Sequence, residues 1–158
     1  TFEKKYEEKW LDMMRDKLGL FGKEDKDKFL ILDLLTWMHQ NKVDYTNTFC
    51  HLMNLKIQEN KKFYENDFEN WKKRWQERLS TNNNSSHKYV NLMRKVNPLV
   101  IPRNCKVEEV LEEANKNNFK PVKKLLEVIT KSYIEQEGIR EYQIPTNTNE
   151  KYQTFCGT

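Results

Sequence analysis

The sequence predicts an all-α fold, an irregular bundle of about six to seven helices with an extended C-terminal tail. Three observations predict it. Only four glycines and four prolines punctuate the 158 residues. Alternating β-branched patterns are almost absent, and apolar residues recur instead at spacings of three and four. The length suits one domain, and a domain of this size buries roughly 70% of its unfolded surface, enough to fold without staples. Apolar residues make up only 37% of the chain, but aromatics at 12% raise the burial available per position.

Each element follows from its own signals. Phe2, Tyr6, Trp10, Met13, Met14 and Leu18 recur at helical spacing, and Gly19 follows where a left-handed C′ residue is expected. A second helix starts near Asp25 or Asp27, where Glu24, Asp25 and Asp27 read as helix-start charges that favour the dipole, and runs through Leu30, Leu34 and Met38. Its apolar arc is broad, which predicts the central helix of the bundle. Asp44-Tyr45-Thr46 offers caps for a short helix carrying Phe49, Leu52 and Met53. Tyr64, Phe68, Trp71, Trp75 and Leu79 form the longest clean stripe.

A low-complexity loop with three consecutive asparagines, 81–86, separates a first helical half (1–80) from a second (87–133). The second half opens with a helix bearing Tyr89, Val90, Met93 and Val96, which stops before Pro98. An Asn cap at 104 is expected next, then an αα-hairpin from Val107 to Asn117 and from Pro121 to about Lys131. Pro121 suits a first helical turn. Past Gly138 the periodicity fades, so 134–158 reads as an extended tail on a single helical domain, 1–158.

Composition narrows the function. Charged residues make up 33% with a net charge of only +4, intermixed, which argues against a nucleic-acid footprint. No apolar run is long enough to span a membrane. The three cysteines, at 50, 105 and 156, are odd in number and far apart, so a reducing, cytoplasmic setting is the simplest reading. A phosphate-cradling Gly loop is missing, as are His-Glu-x-x-His and Cys-x-x-Cys spacings. Adjacent Cys50 and His51 point about 100° apart on a helix and chelate poorly, and Cys50 and Cys105 read as small core-facing residues. No catalytic, cofactor or metal residue is therefore assigned. Basic residues around the 61–78 stripe allow a nucleic-acid platform, but rings on one helical face also make a core seam, and the core reading is preferred. The chain opens without Met, directly in a helical pattern, which predicts a fragment of something longer.

Several segments together resemble the C-terminal part of the selenoprotein O family of kinase-like protein adenylyltransferases. They are Trp10 with Met14-Arg15-Asp16-Lys17-Leu18-Gly19-Leu20, Asp44-Tyr45-Thr46-Asn47-Thr48-Phe49, and Met93-Arg94-Lys95-Val96-Asn97-Pro98. Ile101-Pro102-Arg103-Asn104, Val107-Glu108-Glu109 and Tyr152 to Thr158 complete the order. The usual motif has Arg where this chain has Cys50, so that Arg's contact does not carry over. The resemblance implies a parent that transfers AMP from ATP to protein hydroxyls with Mg or Mn. It places the nucleotide and metal residues in kinase-like lobes upstream of Thr1. Cys156, third from the end, occupies the place of selenocysteine in animal members and is the redox candidate. The implied role is a non-catalytic helical domain whose partners are the kinase-like domain of the same parent and, through it, protein substrates. The alternative is a free-standing helical module that binds protein or nucleic acid.

Overall fold

Gly19 ends the first helix as its position predicts, and the geometry is a Schellman motif. Gly19 takes φ +70°, its N–H donates to the Asp16 carbonyl and the Leu20 N–H to the Arg15 carbonyl. The computed structural model describes residues 1–57, 59–81 and 86–145. Among these, the helices are α1 (Phe2–Lys17), α2 (Asp27–Asn41), α3 (Tyr45–Leu52), α4 (Asn66–Ser80), α5 (Ser86–Val96), α6 (Asn104–Asn115), α7 (Lys120–Ile129) and α8 (Arg140–Gln143). A 3-10 turn spans Lys61–Tyr64. No strand occurs among the described residues, so the all-α class holds.

α2 packs on α1 and α4, α5 packs on α1, and α6 pairs with α7 as a hairpin. One core draws on both sides of the 81–86 loop, from Met14, Ile31 and Leu34 to Met93, Val100 and Val128. A column of rings runs through it. Phe63, Phe68, Trp71, Trp75 and Tyr89 follow one another at centroid spacings of 5.1, 5.7, 6.0 and 5.9 Å. Both indoles find acceptors: Trp71 Nε1 donates to the Leu30 carbonyl at 2.8 Å and Trp75 Nε1 to the Leu18 carbonyl at 2.9 Å. Buried indoles are costly without such partners. The core reading of this stripe is the one the fold adopts, except that Tyr64 lies exposed in the 3-10 turn.

Four expectations need correction. α2 buries Leu30, Ile31, Leu34, Trp37 and Met38 but leaves Phe29 and Leu32 exposed, because its neighbours cover a narrower arc than its apolar residues occupy. Asn104 is not a cap: Arg103, with extended backbone, precedes the helix, and Asn104 is its first residue. Cys105 is half-buried rather than a core residue. The segment after Gly138 is not all extended. Tertiary hydrogen bonds hold Gln143, and with Tyr142 it is buried in the short helix α8. Residues 82–85 of the loop and 146–158 of the tail, including Cys156, lie outside the described residues.

Candidate functional site

The segments that carry the family resemblance lie far apart in sequence, yet the fold brings four of them onto one polar seam. It starts at Asp44, whose sequence context (Asp before Tyr-Thr-Asn) is that of an N-cap. The carboxylate accepts the Asn47 N–H at 2.8 Å, satisfying one orphan donor of α3. The same carboxylate receives both terminal nitrogens of Arg103, at 2.7 and 2.9 Å. This bidentate pair is largely buried and joins α3 to the start of α6.

From there the seam runs along the 97–103 connection. Asn47 donates through Nδ2 to the Gln143 carbonyl at 3.0 Å, and Gln143 donates through Nε2 to the Leu99 carbonyl at 2.7 Å. Cys50 lies against the Pro98 and Leu99 carbonyls with its sulfur 3.9 and 3.8 Å away. Asn97 closes the other end. Its Nδ2 donates to the Lys17 and Met93 carbonyls, both at 2.9 Å, while Lys17 Nζ donates to its Oδ1 at 3.0 Å. The Lys17 ammonium sits 4.9 Å from the Phe49 ring centroid and 5.4 Å from that of Tyr45. Two prolines around Leu99-Val100-Ile101 thus stiffen a strap whose carbonyls are acceptors for two helices.

A second node sits under α2. Asp27, fully buried, accepts Arg15 Nε at 2.7 Å, Arg78 Nε at 2.7 Å, Arg78 Nη2 at 3.3 Å and the Glu24 amide at 3.0 Å. Burial acts to raise its pKa, but the hydrogen bonds from Arg78, Arg15 and Glu24 outweigh it and hold the carboxyl below the ordinary aspartate value. Sequence reasoning read Glu24, Asp25 and Asp27 as helix-start charges and missed this node. Nothing in the local pattern marks Arg15 and Arg78 as its partners.

These groups fasten elements to one another, and their hydrogen-bonding capacity is turned inward. Burial, reinforced by the Asp44 charge, pushes the Cys50 thiol up to about 11, so it stays protonated and inert at neutral pH. His51 stacks on Phe63 at 4.1 Å with the rings 6° from parallel. Burial and then the Lys72 charge lower its pKa, which favours the neutral ring. Beside it lies a groove of about 320 Å³ bordered by Ile57, Tyr64 and Arg140 among others. Among the described residues no three His, Cys, Asp or Glu side chains gather as a metal donor set, and His39 and His51 form none. The rings of Phe68, Trp71 and Trp75 are buried and so are not presented for stacking on bases, whereas Tyr64 of the same stripe is exposed. Among the described residues no helix is long and apolar enough to cross a membrane.

Comparison with known proteins matches nearly the whole chain. The family model of the protein adenylyltransferase SelO matches residues 1–130. The chain is 49% identical over 159 residues to the protein nucleotidyltransferase YdiU of Pelagibacter ubique, covering 99% of this chain and 33% of that protein. It is 42% identical over 160 residues to the YdiU protein of Alcanivorax borkumensis and 40% over 160 residues to that of Nitrosococcus oceani. All of this chain is covered in both matches, with 33% and 32% of the respective relatives. The chain spans about a third of the length of the curated relatives it matches.

Proposed function

The chain belongs to the family of the protein adenylyltransferase SelO, and from that premise we propose that it is a non-catalytic helical domain supporting the kinase-like domain of a longer parent. The parent transfers AMP from ATP to protein hydroxyls in the cytoplasm, and this domain braces the part that does so. The observation that carries the reading is the polar seam. Its segments are those of the family resemblance, and each is committed to holding another. The Asp44–Arg103 pair, the Asn97 bridge and the Asp27 node use their side chains to join helices to one another.

We assign neither ATP nor a divalent metal to this domain: among the described residues no three His, Cys, Asp or Glu side chains gather as a metal donor set, and the four glycines form no Gly-rich phosphate motif. In this proposal both belong to the remainder of the parent, and no chemical step passes through this domain. Cys156 remains the redox candidate. Its thiol and a second thiol of the kinase-like domain would lose two protons and two electrons to a disulfide oxidant, tying the tail to that domain reversibly.

The test is AMP transfer with three proteins: the full parent, the parent lacking this third, and this chain alone. Transfer by the full parent only, with the truncated parent inactive or markedly less stable, is the expected result. Robust self-modification by this chain alone overturns the non-catalytic role, and a truncated parent as active and stable as the full one overturns the supporting role.

A further inference from the structure

We propose that the first half of α1 is the docking element of this domain, laying a stripe of Phe2, Tyr6, Trp10 and Met13 into an apolar groove on the remainder of the parent chain. The inference rests on the supporting role above and says which face performs it.

At 100° per residue these four side chains fall within about 80° of arc, and from the first to the last they span roughly 17 Å along the axis. They are an apolar strip, yet they face out: Phe2 is 86% exposed, Tyr6 64% and Met13 43%, with Trp10 half-buried at the edge of the core. α1 attaches to the bundle by a different arc, where Met14 and Leu18 are buried. All of the first nine residues are exposed, so the first two turns have no packed face. Helical segments that short are marginal in water without tertiary support. Three rings and a thioether in one strip also exceed the scattered apolar residues of an ordinary surface.

The chain accounts for a third of its relatives' length, so two thirds of such a protein is available to cover the strip. The family match begins at residue 1, so the strip belongs to the part of the chain shared with the family. Its rim suggests what the covering groove looks like. Lys5 and Lys9 border it on one side, both exposed, so the facing edge of the groove should carry carboxylates. A second apolar patch, Leu111, Phe119 and Leu126 on the α6–α7 hairpin, is the lesser candidate. Those helices already bury Val110, Leu125 and Val128 in the core and need no further cover.

The experiment places the photo-crosslinking residue p-benzoylphenylalanine at Tyr6, and separately at Phe119, in the full-length parent, and maps the linked peptides by mass spectrometry. Hydrogen exchange of α1 is followed in the same protein. The expected result is a crosslink from position 6 to a peptide elsewhere in the same chain. Amides 6–10 should also exchange at least tenfold more slowly than in the parent carrying Phe2→Asp and Tyr6→Asp, with α4 unchanged between the two. A crosslink from position 6 to a second copy, seen as a dimer, overturns the proposal. So does a crosslink from position 119 but not from 6, which leaves the supporting role standing. Crosslinks from neither position, in a parent whose activity does not need this third, remove both readings.

Discussion

Replacing Asp27 by Asn tests whether the buried charge node holds the bundle together. The substitution keeps the side-chain shape but removes the charge that two guanidiniums share. One oxygen becomes an NH₂ group aimed at Arg15 or Arg78, so at least one charge-assisted hydrogen bond is lost and a donor faces a donor. Arg78, itself buried, loses its buried counter-charge and keeps only the more exposed Glu24 carboxylate at 3.2 Å. Breaking such a pair from one side costs about 3–5 kcal/mol. For a chain of this length that lowers the Tm by roughly 10 °C or more. Urea unfolding followed by the fluorescence of Trp71 and Trp75 measures it directly. Arg74→Ala is the control, because its pair with Asp33 is half-exposed on both sides and is worth about 1 kcal/mol or less.

The pH dependence sharpens the test. The folded pKa of Asp27 lies below its unfolded value, so its contribution is complete above the unfolded pKa of about 4 and fades as pH falls through the folded one. The deficit of Asp27→Asn should therefore shrink in acid. A deficit under about 1 kcal/mol at neutral pH would refute the assignment of Asp27 as the node, as would a deficit that does not change on acidification.

Further outcomes follow from the geometry. Gly19→Ala should cost about 2–4 kcal/mol, since a Cβ there meets Tyr89 Cβ at 2.9 Å and the Tyr89 carbonyl at 3.0 Å on top of the left-handed φ. Gly138→Ala, with φ +75° and open space around it, should cost only about 1–2 kcal/mol; equal losses in thermal unfolding would discredit the close α1–α5 contact. Cys50 should resist a thiol reagent at pH 7.5 until the chain unfolds, and a fast reaction in native buffer would contradict its burial. NMR titration should find His51 below the ordinary histidine pKa. Its stabilising effect is then complete above about pH 6.5 and is lost as pH falls through the folded value; a raised pKa would reverse that sign. Trp71→Phe should cost about 1–3 kcal/mol by removing the buried indole bond to the Leu30 carbonyl together with the packing of the larger ring, read from the urea midpoint.

The helices legible in the sequence were those with a wide periodic stripe and an unambiguous end. Gly19 and Asp44 mark α1 and α3 because their signals are short-range: a left-handed C′ and a carboxylate three residues from its amide donor. Trp71 and Trp75 could be assigned to the core because they share one face with Phe68. α8 had no such signal. Its four residues are too few to show a period, and it is held by bonds from Asn47 and to Leu99 that span 96 and 44 residues of chain. The cap expected at Asn104 falls instead at Arg103, whose side chain is committed to a bidentate grip on Asp44, 59 positions away.

By itself the sequence determined the all-α class, the periodic helices, two of their caps and the family. Each of these depends on interactions within about four residues, or on motifs whose order survives without coordinates. Only the tertiary structure decided which arc of each stripe is covered, leaving Phe2, Tyr6 and Phe29 outside while Met14, Leu18 and Ile31 went in. It also decided that Asp27 belongs to Arg15 and Arg78 rather than to its own helix end. The reason is geometric. Apolar periodicity says that a helix has a face to bury, whereas helix crossing angles and separations select the neighbours that cover it and the charges that meet beneath them.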